Sequence, residues 1–554
     1  MRHTSIAVAA RALRSGEITS EQLLVEANAA ADAHDECLGT YLARFDEQAL
    51  AASRLLDAEL RAGHDRGPLH GIPFAIKDVI TTAEGPTTAQ SLVFDPGWTP
   101  RVDAPAVARL RAAGAVITGK TGTSEFATGV PDPEKPFPIA RNPWDLRRFT
   151  GGSSTGNASG ISAGLFLGAL GTDTAGSIRQ PAALCGISGL KPTFGRVPKS
   201  GCVPLGYSYD HVGPMARSAW DCAVILTAIA GRDPDDPSSS GRPVSDYAAT
   251  LDGNLRGMRI GVDLLSAHWT TAADGLEVAL EKAIAILSEA GATIVPIRLP
   301  HYREISDAAL FGYTVEAFGD HRTGLRHRWS DYSRATRLSL ASGALTSAGD
   351  YVQMQRVRRL GQHEVGVVFA AVDLVLTPTA STAAPLLDGL DISTIAAAVQ
   401  TPYWNAVGNP ALSVPIGFTL DGLPLGMQLA GRPFDEVAVL AAGHAYQLRT
   451  DWHLRVPPVT PIGRGTDGTF PCRDRGLGRT TAESSPSPIS SADEILTCRL
   501  LDAAGIVPDD AEIVQLARSF HGRRIRLDAL YAIRETYHLP PIGVFRADPE
   551  DRWL

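Results

Sequence analysis

The sequence predicts an α/β fold in which helices cover a sheet. Residues 104–121 and 276–297 each have the pattern of a helix, a glycine stop and a strand. Residues 68–80 hold a short apolar strand that ends in a lysine-aspartate pair. Repeated helix–glycine–strand units are typical of layered α/β proteins. A chain of 554 residues is long enough for one large catalytic core and an appended module.

The composition is that of a globular protein and excludes several classes of partner. Apolar residues make up 44% of the chain and charged residues 20%, and the formal net charge is −9. This negative balance argues against nucleic acid or an anionic membrane as the main partner. No apolar run reaches the roughly 18 residues of a membrane helix, and the N-terminus lacks the apolar core of a signal peptide.

The cysteine pattern predicts reduced thiols and a cytoplasmic location. Six cysteines are scattered along the chain without a CxxC pair. Such spacing is unlike a zinc site or a disulfide framework. We therefore expect neither a metal ion nor an organic cofactor.

The first sixty residues are predicted to be helical. Alanine and leucine recur there at helical spacing, and the sequence TSEQ at residues 19–22 is placed like a capping box.

Residues 114–121, GAVITGKT, match the pattern of a phosphate-binding loop. That loop needs flexible residues whose backbone N–H groups turn towards phosphates. Here the middle residues are Ala, Val, Ile and Thr, which favour an extended strand, and the match begins at a helix stop. A nucleotide-binding enzyme is therefore only a third hypothesis for function.

A change in composition near residue 460 predicts three regions. Residues 1–460 form the catalytic domain, and residues 461–491, dense in Gly, Ser, Thr and Pro, form a flexible linker. Residues 492–554 form a small, mainly helical module. Its eight arginines stand against eleven acidic residues, which disfavours RNA binding. We expect a docking module or one through which the chain forms a homodimer.

The most specific motif lies in residues 148–198. It contains two serine clusters, in which Ser153 and Ser177 are 24 residues apart. A serine-glycine linker followed by a buried helix of small residues would account for GGSSTG alone. It would not account for the continuation SIRQPAALCGISGLKPT, nor for the lysine in GIPFAIKD.

These motifs resemble the amidase signature family of serine hydrolases. The resemblance extends from about residue 5 to residue 457, and includes ARALRSGEITSEQLL, PLHGIPFAIKDVITT and NPALSVPIGFTLDGLPLGMQLAGRPFDEVAVL. It implies a large mixed β-sheet core covered by α-helices. The end of the chain, residues 527–549, resembles the small helical accessory subunits that pair with some amidases and amidotransferases.

The resemblance implies a catalytic triad of Lys77, Ser153 and Ser177. Ser177 is the expected nucleophile, Ser153 follows a cis peptide bond after Gly152, and Lys77 is the terminal base. A serine hydroxyl is a weak nucleophile until a base takes its proton. Lysine can be that base only when neutral, a state that burial favours. A bridging serine can accept one proton while it donates another.

The resemblance also implies an oxyanion hole made by backbone N–H groups beside the nucleophile. Its expected donors are Thr174, Ala175, Gly176 and Ser177. Three further residues are expected to support the loops through hydrogen bonds: Ser154, Asp173 and Arg179. The chain departs from the commonest family pattern at Thr155 and Ala175, where many members carry glycine; a methyl group at Ala175 fits if its φ is negative.

Two downstream segments are expected near the site. Residues 331–360 predict amphipathic helices that border the substrate pocket. Their Arg337 or Arg356 could meet a substrate carboxylate, although a solvated helix face is the favoured interpretation. Residues 401–415 are expected to return to the sheet beside the site, with Trp404 in the core.

We therefore expect an amidohydrolase that cleaves the C–N bond of a small-molecule carboxamide through a Ser177 acyl-enzyme. One alternative is a glutamine-hydrolysing subunit of a tRNA-dependent amidotransferase. Another is a catalytically silent scaffold of the same fold, although a silent site has no need of the intact triad.

Overall fold

The computed structural model describes residues 5–95, 97–98, 101–459 and 491–542. Within these ranges the chain forms thirteen strands. They are β1 (Tyr41–Arg44), β2 (Pro73–Lys77), β3 (Val116–Thr121), β4 (Arg141–Asn142), β5 (Asp145–Phe149), β6 (Gly168–Asp173), β7 (Ser188–Lys191), β8 (His211–Ala216), β9 (Arg259–Val262), β10 (Thr293–Pro296), β11 (Leu374–Pro378), β12 (Ala411–Phe418) and β13 (Pro424–Gly431).

Sixteen α-helices surround these strands in the same described ranges. They are α1 (Ile6–Ser15), α2 (Ser20–Leu38), α3 (Asp46–Arg61), α4 (Pro105–Ala112), α5 (Thr155–Ala163), α6 (Arg179–Cys185), α7 (Ala219–Ile229), α8 (Leu276–Glu289), α9 (Tyr302–His327), α10 (Arg334–Ala341), α11 (Ala348–Ala371), α12 (Ile392–Ala398), α13 (Pro402–Val407), α14 (Glu436–Gln447), α15 (Ser491–Ala504) and α16 (Asp510–Tyr531).

Eleven of the described strands form one sheet, in the order β1-β3-β2-β6-β8-β7-β12-β13-β11-β9-β10. The sheet is mixed, because β2 runs parallel to β3 and β6 whereas β8 runs antiparallel to β6. The predicted large mixed sheet covered by helices is therefore confirmed. Neighbouring parallel strands end at the same edge of a sheet, so the carboxyl ends of β2 and β6 lie side by side.

The N-terminal region is helical, as predicted, with one exception. Thr19 and Gln22 form both hydrogen bonds of a capping box at the start of α2. The sequence pattern did not reveal β1, a strand of four residues that pairs with β3. Its pairing partner lies about eighty residues downstream, so local periodicity carries little sign of it.

The segment that resembles a phosphate-binding loop is part of the central sheet. Its residues Val116–Thr121 form β3. The Lys120 ammonium group is buried and lies 3.0 Å from Asp78, and it also donates to the Ile80 carbonyl at 2.7 Å. A lysine held in this way contributes to the core, which argues against a role in nucleotide binding.

The C-terminal helices α15 and α16 pack against helices that lie earlier in the same chain. Helices α15 and α16 pack on each other, and α16 lies against α9 and α11. Four apolar side chains of α16 are buried in the clusters that also hold core residues of the catalytic domain: Leu516, Phe520, Leu527 and Leu530. Ion pairs join Arg337 to Glu512 at 2.7 Å and Asp350 to Arg524 at 3.1 Å.

Parts of two sequence predictions fall outside the described residues. Of the predicted linker, residues 461–490 lie there, and residue 491 begins α15. Of the predicted module, residues 543–554 lie there. A homodimer through the module stays a prediction. Among the described helices, none has the length and apolar character needed to cross a membrane.

Candidate active site

The predicted base Lys77 and the predicted bridging serine Ser153 are hydrogen-bonded to each other at the carboxyl end of strand β2. Lys77 is the last residue of β2, and its side chain is fully buried. Its Nζ lies 2.7 Å from Ser153 Oγ and 2.8 Å from Thr172 Oγ1. Thr172 belongs to the neighbouring strand β6, so the parallel pairing of β2 and β6 fixes this arrangement.

Burial makes Lys77 suitable as a base near neutral pH. Desolvation lowers the pKa of its ammonium group from 10.5 to about 7, despite the opposing charges of Asp173 and Asp210. A substantial fraction of Lys77 is then neutral at pH 7, and only the neutral amine can accept a proton. Burial also raises the pKa of the nearby Asp210 to about 6.

The predicted nucleophile Ser177 shares a cleft with Ser153, and its hydroxyl has no hydrogen-bond partner among the described residues. Ser153 and Ser177 line the same cleft, which has a volume of about 100 Å³. The two serine loops are joined where the Ser154 N–H donates to the Ser177 carbonyl at 3.2 Å. The Gly152–Ser153 peptide bond is cis. Ser177 is partly exposed to the cleft, whereas Ser153 is buried.

The predicted supporting residues surround the turn that carries Ser177. The buried Arg179 forms two hydrogen bonds of 3.0 Å with the Asp173 carboxylate. Burial alone would raise the pKa of Asp173, but the charge and hydrogen bonds of Arg179 hold it well below its ordinary value. Ser154 Oγ donates to the Thr172 carbonyl at 3.3 Å. All three predicted supporting residues thus hold the loops in place.

The backbone N–H groups of the turn are not all free. Gly176 donates its N–H to Asp173 Oδ1 at 2.8 Å. In the part of the chain that the structure describes, the N–H groups of Thr174, Ala175 and Ser177 have no hydrogen-bond acceptor. Ala175 is absent from the described residues with positive φ, so its methyl group causes no backbone strain. The four donors expected for the oxyanion hole are therefore reduced to three, the N–H groups of Thr174, Ala175 and Ser177.

Residues far from Arg179 in the chain also hold its side chain, and the sequence did not predict them. Its guanidinium group also donates to the Thr401 carbonyl, to Gln428 Oε1 at 3.0 Å and to Asn405 Oδ1 at 2.5 Å. Residues 401–415 do return to the site, as expected, but it is their polar members that hold Arg179, while Trp404 is buried in the core. The available signal in the sequence was that Asn405 and Gln428 each lie within an apolar segment, because a polar side chain buried there needs a hydrogen-bond partner.

Gly176 is required by the backbone of the turn. Its φ is +135°, and a Cβ atom at this position would overlap Thr401 Oγ1. The Thr401 hydroxyl in turn donates to the Ala175 carbonyl at 2.6 Å. The contact between Thr401 and the turn thus leaves no room for a side chain at the residue before Ser177.

We expect Gly176→Ala to lower kcat/KM on amides by about 10²-fold or more, because the displaced turn misplaces the oxyanion donors. Steady-state kinetics on a primary amide measures this. Gly366→Ala is the matched control, because its added methyl group meets no atom within 4 Å. An active Gly176→Ala enzyme would show that the turn tolerates a side chain there.

The arginines suggested for a substrate carboxylate are not at the cleft. Arg337 is paired with Glu512 of α16. Neither Arg337 nor Arg356 lines the cleft that contains the serines. Within the described ranges, no group of three His, Cys, Asp or Glu side chains is placed to hold a metal ion.

Comparisons with known proteins agree with this geometry. The family model described as Amidase matches residues 22–440. A glutamyl-tRNA(Gln) amidotransferase subunit of Chloroflexus aggregans is 40% identical over 486 residues, which cover 83% of this chain and 99% of that protein.

Solved structures give the same result. The native peptide amidase of Stenotrophomonas maltophilia is 32% identical, with a TM-score of 0.71 over 82% of this chain and 98% of that chain. A glutamyl-tRNA(Gln) amidotransferase subunit of Thermotoga maritima is 29% identical, with a TM-score of 0.67 over 80% of this chain and 95% of that chain. The chain therefore belongs to the amidase signature family.

Proposed function

We propose that this protein is an amidohydrolase that cleaves the C–N bond of small-molecule carboxamides. The observation that carries the proposal is the 2.7 Å contact between buried Lys77 and Ser153, in a cleft that also exposes Ser177. A lysine with a pKa near 7 beside a bridging hydroxyl has little purpose in a scaffold, because burying it costs stability.

The acylation step requires Ser177 Oγ, which has no hydrogen-bond partner among the described residues, to donate to Ser153 Oγ when substrate is bound. Ser177 Oγ attacks the carbonyl carbon while its proton passes to Ser153 Oγ, whose own proton passes to neutral Lys77. The carbonyl π electrons move to oxygen, and the N–H groups of Thr174, Ala175 and Ser177 stabilise the oxyanion.

Collapse of the tetrahedral intermediate breaks the C–N bond. The proton held by Lys77 returns through Ser153 to the leaving nitrogen, which departs as ammonia or an amine. Water then attacks the carbonyl carbon of the ester formed with Ser177 and passes its proton through Ser153 to Lys77. When this second tetrahedral intermediate collapses, the bond between the carbonyl carbon and Ser177 Oγ breaks, and the proton returns through Ser153 to Ser177 Oγ. The products are a carboxylic acid and free enzyme.

The proposal is tested by labelling with a small fluorophosphonate, followed by peptide mapping. We expect one adduct, on Ser177. Its rate of formation should rise with pH through about 7, because protonated Lys77 cannot accept the serine proton below its pKa. Since about one lysine in a hundred is neutral two pH units below the pKa, labelling at pH 5 should be about a hundredfold slower than at pH 9.

The Ser153→Ala variant is the control for the site of modification. It keeps Ser177 but lacks the bridge, so the adduct should form slowly and on the same residue. An adduct on another serine, or a labelling rate independent of pH, would contradict the proposed roles.

A second candidate is the glutamine-hydrolysing subunit of a tRNA-dependent amidotransferase. The 40% identity to an amidotransferase subunit in Chloroflexus aggregans favours it. Turnover of simple amides by the purified chain alone supports the amidohydrolase. Glutaminase activity that appears only with co-purifying subunits supports the amidotransferase.

A further inference from the structure

A second cavity adjoins the cleft that contains the serines. Its volume is about 410 Å³. The residues that line both cavities are Leu310, Tyr313, Ile392 and Ala396. Helix α16 contributes another part of the lining of this second cavity, including Arg523. A molecule that enters the cleft can therefore extend along an apolar wall towards α16.

Arg523 is a buried cation with no acidic partner among the described residues. Only 6% of its surface is exposed. Its guanidinium group donates to the hydroxyls of Thr314 and Thr346 at 3.1 Å and of Ser342 at 2.6 Å. It also lies 4.6 Å from the centre of the Phe311 ring. Hydroxyls and a ring stabilise a cation but leave its charge uncompensated.

The other charged groups around this cavity are satisfied in different ways. Arg526 is paired with Asp307. Asp391 accepts backbone N–H groups in the first turn of α12, and Asp132 accepts the backbone N–H of Arg334. The side chain of Arg334 is exposed to solvent. Arg523 is thus the buried charge of this cavity that lacks a counter-ion in the described part of the chain.

We propose that α16 completes the substrate pocket and that Arg523 binds a carboxylate at the end of the substrate remote from the scissile amide. The substrate class is then an amide that carries a carboxylate beyond an apolar spacer. This inference rests on the proposed amidohydrolase function and deepens it.

The chemistry of the two ends supports this assignment. A guanidinium group can bind a carboxylate through two parallel hydrogen bonds, and a bound carboxylate would supply the missing negative charge. Burial lowers the pKa of Arg523 to about 10, so the group is still charged at neutral pH. The shared wall of Leu310, Tyr313 and Ile392 suits methylene groups between the two ends.

A purely structural role would not require a cation at this position. The apolar side chains of α16, such as Leu516 and Leu527, already anchor the helix. An apolar residue in place of Arg523 would pack there without the cost of burying a charge.

The test compares matched substrates on the full-length protein. Monoamides of linear dicarboxylic acids with about four to eight carbons are paired with unbranched primary amides of equal length. We expect wild type to prefer the carboxylate-bearing member by about 10- to 100-fold in kcat/KM for at least one length, mainly through KM. Equal kcat/KM for both members at every length would overturn the inference.

Two neighbouring arginines provide the matched variants. Arg523→Gln removes the charge, so it should abolish the preference by lowering kcat/KM for the carboxylate-bearing amides. Arg524→Gln should keep the preference, because Arg524 does not line the cavity and pairs instead with Asp350 and Asp528. An unchanged preference in folded Arg523→Gln would overturn the inference.

Ser519→Asp tests the same site while Arg523 and its hydrogen bonds stay in place. Ser519 is exposed, lines the cavity and lies one helical turn before Arg523. A carboxylate there should pair with Arg523 and compete with the substrate, which lowers the preference about tenfold or more. Retention of the full preference would contradict the proposal that Arg523 binds the substrate carboxylate. Failure of both substrate series would instead contradict the proposed amidohydrolase function itself.

Discussion

Replacing Ser177 with alanine is expected to lower kcat on amide substrates by about 10⁴- to 10⁶-fold, which is the scale of losing the nucleophile of a serine hydrolase. Ser177 lies in the cleft with Ser153, and its hydroxyl has no hydrogen-bond partner among the described residues. The variant therefore loses the reacting hydroxyl without losing a hydrogen bond that stabilises the fold. Its free energy of unfolding should stay within about 0.5 kcal/mol of wild type.

Steady-state kinetics and thermal unfolding of the same preparations check this expectation. Ser200→Ala is the matched control, because Ser200 lines a different cavity that includes neither Ser153 nor Ser177. It should keep the wild-type rate. Equal turnover by Ser177→Ala and wild type would favour the silent scaffold and attribute the measured hydrolysis to another protein.

The local parts of the site were predictable because each is encoded in a contiguous stretch. A short apolar strand ending in Lys77 predicts a buried lysine at a strand end, and the family resemblance implies its role as the base. The two serine loops and the Asp173–Arg179 pair lie within thirty residues of each other, so one motif contains them. The capping box at Thr19 is likewise a short-range signal.

The remaining parts depend on contacts between segments far apart in the chain. Three residues reach Arg179 because of how distant segments pack: Thr401, Asn405 and Gln428. Thr401 and Asn405 lie at or in α13, which precedes β12 in the chain, and Gln428 lies in β13, which pairs with β12. Helical periodicity predicted the helices of the C-terminal module but not the surface they cover. That surface is set by apolar burial and by pairs such as Arg337 with Glu512, which no local pattern specifies.

Replacing Lys77 with methionine is expected to slow both amide hydrolysis and fluorophosphonate labelling by about 10²- to 10⁴-fold, the usual contribution of a general base. Methionine has a similar length but cannot accept the proton that Ser153 passes on. The loss of the hydrogen bonds to Ser153 and Thr172 is offset by removal of a buried ionisable group, so the free energy of unfolding should change by less than about 1 kcal/mol. Kinetics and chemical denaturation measure the two effects separately.

The pH profile distinguishes a lost base from a damaged fold. If Lys77 is the base, the rise in rate through pH 7 must disappear from the variant, because no other group then titrates in the proton route. A merely destabilised enzyme would keep that rise at a lower amplitude. Lys199→Met is the control, since Lys199 is also buried but lines a cavity that includes neither Ser153 nor Ser177, and its profile should keep the step. A step retained in Lys77→Met and lost in Lys199→Met would reassign the base to Lys199.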